Sequence, residues 1–319
     1  MPKICYIFPG QGAQYVGMGK DLYDNSPEAK KIFDSAEEIL PHLNIKKICF
    51  EGPLEELTLT ANSQVAILVA SIASLKAFMS LCSRKACFAD SAISKASFAA
   101  TIVLGLSLGE LTALVAGEAI EFSDAVRLVR RRGELMEEAS LKNPGKMASI
   151  LGLSIEDLKE ACKESGAEIA NLNCPGHIVL SGTKKAIESA MVIAKKKGAK
   201  KCIPLNVSGP FHSSLMKEAA ELFRIELEKV KISIPKIPIV SNVTAGYEKT
   251  PSEIKENLVK QLYSPVLWED SIRRIASDGC DIFFEIGPGK VLKGLLRRID
   301  DGLKVFNIEK MEDMNNLIV

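Results

Sequence analysis

A chain of 319 residues, 47% hydrophobic and 25% charged, has the composition of an ordinary globular protein and length enough for one large domain with a smaller one. Forty-one Lys and Arg stand against 40 Asp and Glu, and a net charge of +1 excludes bulk attraction to nucleic acid or an anionic membrane. The start, Met1 to Phe8, has too short an apolar run for a secretory signal, and no later stretch reads as long and clean enough to span a bilayer. A soluble cytoplasmic protein is expected, or one of a reducing organelle interior if a transit peptide has been removed.

In chain order, Lys3 to Phe8 reads as a buried strand ending in the turn Pro9-Gly10-Gln11-Gly12-Ala13-Gln14. Helical periodicity covers Ser26 to Leu40 and Gln64 to about Leu81, and Cys82 to Ala100, rich in Ser, Ala and Lys, reads as a surface excursion. Thr101 to Leu104 is a short strand that runs through Gly105-Leu106-Ser107-Leu108-Gly109 into a helix from Glu110. A further helix, Asp124 to about Ala139, takes Ser123 as its N-cap.

From Asn143 the pattern changes. Lys146 to Leu151 reads as a strand, Ile155 to Ser165 as a helix, Glu168 to Leu172 and His177 to Ser181 as strands, Lys184 to Lys197 as a helix and Lys201 to Val207 as a strand. That β-α-β-β-α-β order predicts a ferredoxin-like subdomain over 143–206, inserted in a large domain made of 1–142 and 207–319. The rest alternates again: helix Ser214 to Val230, strand Ile237 to Ser241, helices Ile254 to Leu262 and Glu269 to Ser277, strand Asp281 to Glu285, and a helix after Gly287-Pro288-Gly289. Strands separated by helices predict an α/β fold with a mainly parallel sheet covered on both faces.

Eight cysteines, scattered without a Cys-x-x-Cys pair, read as reduced and mostly buried thiols. Cys174-Pro175-Gly176-His177 is the nearest approach to a metal motif; lacking a second ligand pair, it reads as a turn, and neither metal nor bound cofactor is expected.

Gly105-Leu106-Ser107-Leu108-Gly109 places Ser107 where a strand meets a helix, with Oγ able to project from the sheet and the helix N-terminus able to stabilise an oxyanion. A plain strand-helix turn is the alternative. A serine nucleophile needs a base, and His42, His177 and His212 are the only histidines. His42 lies in a loop near a helix end and His177 in the small subdomain's turn, whereas His212 stands in a Gly-Pro loop just before a helix, a setting suited to catalysis.

On the helix from Asp124, the positions Ala125, Leu128, Val129, Leu135, Met136 and Ala139 make one apolar stripe. At roughly 100° per residue Arg132 falls near its centre. Arg130 and Arg131 read as a solvated pair. A guanidinium on a buried face must meet either an internal carboxylate or a substrate anion. Gly10-Gln11-Gly12-Ala13-Gln14-Tyr15 lacks the third glycine of a dinucleotide fingerprint, and Gly287-Pro288-Gly289-Lys290 lacks the first half of a phosphate loop.

Together these residues resemble the malonyl-CoA:acyl carrier protein transacylase family of fatty acid synthesis, over nearly the whole chain. The resemblance rests on six segments in the family's order: 8–14, 105–110, Arg132-Gly133-Glu134-Leu135-Met136, Gly209-Pro210-Phe211-His212, Gln261-Leu262-Tyr263-Ser264-Pro265-Val266 and Glu285 to Val291. It implies an α/β-hydrolase-like domain with the inserted subdomain, the cleft between them, Ser107 acylated, and His212 as general base. It further implies that the Gln261 backbone carbonyl orients His212, that the backbone N–H groups of Gln11 and Leu108 form the oxyanion hole, and that Arg132 clamps the malonyl carboxylate. Phe211 before the histidine goes with malonyl rather than methylmalonyl specificity.

The implied reaction is ping-pong, with malonyl-CoA as donor and the phosphopantetheine of an acyl carrier protein as acceptor, the chain acting as a monomer. Leu106 departs from the His often found before the family's nucleophile. A thioesterase or esterase using the same serine is the rival reading, and a non-catalytic carrier-protein scaffold is another. The segment 143–206 holds ten lysines, no arginine and six acids, so its basic surface, with Lys290, Lys293, Arg297 and Arg298, is a candidate dock for an acidic carrier.

Overall fold

The computed structural model describes residues 3–84 and 98–317. β1 (Lys3–Phe8) is followed by α1 (Lys20–Asn25), α2 (Pro27–Ile39), α3 (Ile45–Phe50), α4 (Leu54–Thr58) and α5 (Thr60–Arg84). α2 starts as its sequence dictates, with Pro27 in the first turn and the Ser26 hydroxyl accepting the Ala29 N–H at 3.2 Å. β2 (Ile102–Gly105), α6 (Leu108–Ala116) and α7 (Phe122–Lys142) complete the first part. Ser123 is not the cap of α7. The helix already includes Phe122, and no side chain caps it.

The stretch Thr60–Ser83 of α5 is, against expectation, long and apolar enough to cross a membrane by length and composition. In this fold most of that stretch is buried, because α5 runs through the core against α2, α6 and α7 and must be apolar nearly all round. Of the surface excursion expected over Cys82 to Ala100, Cys82 to Arg84 continue α5, and 85–97 lie outside the described residues.

β3 (Gly145–Leu151), α8 (Ile155–Ser165), β4 (Glu168–Cys174), β5 (His177–Thr183), α9 (Lys184–Lys196) and β6 (Lys201–Pro204) follow the order read from the sequence; β4 runs on to Cys174, while β6 stops before Val207. Cys174 and His177 flank the turn between β4 and β5. The last part holds α10 (Lys217–Glu228), α11 (Pro251–Gln261), α12 (Trp268–Ser277), β7 (Cys280–Ile286), α13 (Val291–Ile299), β8 (Lys304–Ile308) and α14 (Met311–Leu317). The strand expected over Ile237 to Ser241 is reduced to bridges of Ile239 with Val103 and Val240 with Tyr247. β8 was not expected at all.

Two sheets result. β2-β1-β7-β8 is parallel throughout. Side chains alternate across it: Ile4, Tyr6 and Phe8 enter the core around α5, while Cys5 and Ile7 pack with Trp268, Leu292 and Leu296 on the other face. The second sheet, β4-β5-β3-β6, is antiparallel. Ala148, Ile150, Ile178 and Leu180 bury one face against Leu158, Ile187 and Ala190 of α8 and α9. Met147 and Val179 point the other way, toward the first sheet's strand ends. β4 is tied there by Val266, which accepts from the Leu172 N–H at 2.9 Å and donates to the Ala170 carbonyl at 2.8 Å.

Candidate active site

Ser107 occupies the single residue between Leu106 and α6, with φ 52° and ψ −105°, a backbone state that costs a non-glycine residue about 1–3 kcal/mol. The glycines on either side make this turn possible. A Cβ on Gly105 would lie 1.8 Å from the Gly109 carbonyl, and one on Gly109 would lie 2.2 Å from the Phe8 oxygen. Asn242 clamps the turn: its Oδ1 accepts the Ser107 N–H at 2.6 Å and its Nδ2 donates to the Gly105 carbonyl at 2.7 Å. Sequence reading missed Asn242, since it comes from a loop 135 residues away with no local pattern.

His212 meets the nucleophile. Its Nε2 lies 2.8 Å from Ser107 Oγ, and its Nδ1 lies 2.7 Å from the Gln261 carbonyl oxygen. That carbonyl accepts only, so Nδ1 carries the proton and Nε2 is left to take one from Ser107. Burial, and then the charge of Arg132, push the imidazole down to about 4, which keeps it in the basic form. His42 lies outside this cluster.

Arg132 is buried at the centre of the α7 stripe, 1% exposed. Its Nη2 donates to Ser107 Oγ at 3.3 Å and to Gln261 Oε1 at 2.9 Å, and its Nη1 donates to Gln64 Oε1 at 2.6 Å. Gly133 lets α7 close on α5, where a Cβ would come 2.5 Å from Ala61 Cα, and this brings Gln64 to the guanidinium. Among the described residues no carboxylate pairs with Arg132 directly, and its buried Nε–H has no partner. The pairing left open by the sequence is thus with amide oxygens. Burial pushes the guanidinium down to about 10, still charged at neutral pH. Arg130 and Arg131, in contrast, pair with Glu134 and Glu138 at the surface.

Ser107, His212 and Arg132 line a cleft of about 200 Å³ between the two sheets. Gln11, Leu108 and Phe211 line the same cleft. Leu108 is the first residue of α6, where an N–H lacks a helical acceptor. From the antiparallel sheet come Asn171, Asn173 and His177; Asn173 Oδ1 and His177 Nδ1 are buried without a partner among the described residues. His177 is therefore a cleft residue as well as a turn residue. A period-two strand pattern places it on that face but does not say what the face meets. Among the described residues no group of three or more His, Cys, Asp or Glu is placed to hold a metal ion.

Residues 5–313 match the family model of the acyl transferase domain. The chain is 46% identical over 317 residues to the malonyl CoA-acyl carrier protein transacylase of Bacillus subtilis strain 168, covering 98% of this chain and 95% of that protein. Its fold superposes with TM-score 0.91 on an acyl carrier protein S-malonyltransferase from Vibrio cholerae, at 35% identity over 98% of this chain and 99% of the other. It also superposes with TM-score 0.91 and 35% identity, over 99% of each chain, on a malonyl-transacylase solved in complex with its type II PKS acyl-carrier protein.

Proposed function

From the premise that the chain belongs to the acyl transferase family, we propose that it moves a malonyl group from coenzyme A to the phosphopantetheine thiol of an acyl carrier protein through an ester on Ser107. Its relatives share that activity by name over nearly their full length. The observation that carries the reading here is Arg132, a buried cation 3.3 Å from the nucleophile and without a carboxylate partner among the described residues.

His212 Nε2 takes the Ser107 proton as Oγ attacks the thioester carbonyl. The backbone N–H groups of Gln11 and Leu108 receive the oxyanion, which then collapses, expelling coenzyme A as the thiol with the proton from His212. The carrier's thiol gives its proton to His212 and attacks the ester, restoring Ser107. Arg132 holds the malonyl carboxylate as a fork, with Nε–H the donor still unused. Phe211, next to His212 in the chain and in the cleft wall, is the residue we assign to the preference for malonyl over a branched acyl group. Asn171, Asn173 and His177 make one wall of the cleft polar, which suits the amide-rich pantetheine arm.

The parallel sheet with its strand-serine-helix elbow supports an α/β-hydrolase-like description, and the strand order β4-β5-β3-β6 supports a ferredoxin-like insertion over 143–206. For the carrier, the face that matters is the cleft mouth. α13 puts Val291 and Leu295 into the cleft and carries Lys293, Arg297 and Arg298, with Lys290 just before it, basic groups suited to an acidic partner. The lysine run of α9 suits it less well. That helix covers the sheet face turned away from the cleft, and Lys197 already pairs with Glu160 at 2.6 Å.

A side-by-side assay of malonyl transfer and malonyl-CoA hydrolysis tests the reading. Transfer in the presence of carrier should dominate, while hydrolysis that outruns transfer would assign the chain to the thioesterases instead.

A further inference from the structure

One buried carboxyl group near Ser107 has no part in the reaction above. Glu110 follows the Gly-x-Ser-x-Gly turn in the first turn of α6 and is 1% exposed. Its Oε2 accepts two hydrogen bonds, from Gln261 Nε2 at 2.6 Å and from the Asn242 N–H at 3.1 Å. Both donors belong to residues that hold the active site.

Gln261 is a crossing point. Its backbone carbonyl holds His212, its Nε2 also donates to the Ser107 carbonyl at 3.0 Å, and its Oε1 accepts from Arg132 at 2.9 Å. An amide side chain can turn over, exchanging oxygen and NH₂, and only one orientation serves Arg132. With NH₂ toward the guanidinium, two donors would face each other in a dry site. An acceptor on the far side of the amide removes that ambiguity, and Glu110 Oε2 is placed there.

We propose that Glu110 is a positioning residue for acyl-group selection: by accepting from Gln261 Nε2 it aims Gln261 Oε1 at Arg132 and so fixes the guanidinium for a carboxylated acyl group. The inference rests on the reading of Arg132 as the malonyl anchor. Glu110 touches no reacting atom; its contact with the Asn242 N–H serves the Ser107 turn and acts on every acyl group alike, whereas its contact with Gln261 Nε2 acts on the choice between malonyl and an uncharged acyl group.

The test is the ratio of kcat/KM for malonyl-CoA to that for acetyl-CoA, read as acylation of Ser107. Glu110→Ala, which removes the acceptor, should lower the ratio about tenfold, the worth of one hydrogen bond to a charged group. Gln261→Met, which keeps the backbone carbonyl for His212, should lower it similarly and stands in if Glu110→Ala does not fold. Glu110→Gln, which keeps an acceptor oxygen at the same reach, should restore most of the ratio. Equal loss for both donors, or an unchanged ratio in a folded Glu110→Ala or Gln261→Met protein, overturns the proposal. Arg132→Met measured alongside separates the two ideas. If it shifts the ratio and the Glu110 and Gln261 variants do not, only Glu110's role falls; if Arg132→Met leaves the ratio unchanged, the anchor reading itself falls.

Discussion

Arg132 and Ser107 meet at 3.3 Å, Nη2 to Oγ, although 25 residues and two different helices separate them. A fixed positive charge this close to a nucleophile does more than bind. In the proposed function it sets where the far end of an acyl group lies when its carbonyl reaches Oγ, a distance suited to an acyl chain with a carboxylate close to the reacting carbon.

Replacing Arg132 with Met keeps much of the volume and removes the charge. Malonyl transfer should fall by about a hundredfold or more, the worth of two hydrogen bonds between charged groups, while acetyl transfer falls far less. Steady-state kinetics with both donors measure this, and equal losses would remove the anchor role.

Asn242→Ala leaves the Ser107 N–H without its acceptor in a strained, half-buried turn. A cost of about 1–3 kcal/mol in stability is expected, read by denaturant titration, together with slower acylation as the elbow relaxes. Wild-type stability would show that the clamp is dispensable.

The pH profile follows from His212. In the proposed mechanism its neutral form is the base, and burial with the Arg132 charge pushes its imidazole from 6.5 to about 4. Acylation should therefore stay level as pH falls through 6.5 and decline only as pH approaches 4. The unfolded chain takes up that proton near 6.5 and the folded one does not, so this group removes stability over the same window as pH falls. A rate profile that breaks near 6.5 would contradict the assignment.

Charge reversal on α13, Lys293→Glu with Arg297→Glu, should raise KM for the carrier protein several-fold, more at low salt, and leave KM for malonyl-pantetheine unchanged, since that donor has no nucleotide phosphates. Reversal of Lys195, Lys196 and Lys197 on α9 should have the smaller effect. The opposite ranking would move the dock to the antiparallel sheet's outer helices.

Much of this site was legible because its parts are local patterns. The turn around Ser107 is written in five consecutive residues, and Arg132 stands out because a charge interrupts an apolar helix stripe. His212 was found by elimination among three histidines and by its loop. The groups that hold these parts are long-range and left no local trace: Gln64 and Asn242 reach their targets from 68 and 135 residues away. Short elements were lost for a related reason. β8 is a five-residue strand made stable by pairing with β7, and Val266 pairs beside β4 through two hydrogen bonds that only the folded chain brings together.

The central claim is that Ser107 carries the acyl group between two thiols. Incubation with malonyl-CoA, followed by intact mass and peptide mapping, should give one malonyl group on the peptide containing Ser107, and adding carrier protein should discharge it onto the carrier's pantetheine. No adduct, or an adduct on another residue that the carrier still discharges, would contradict the account.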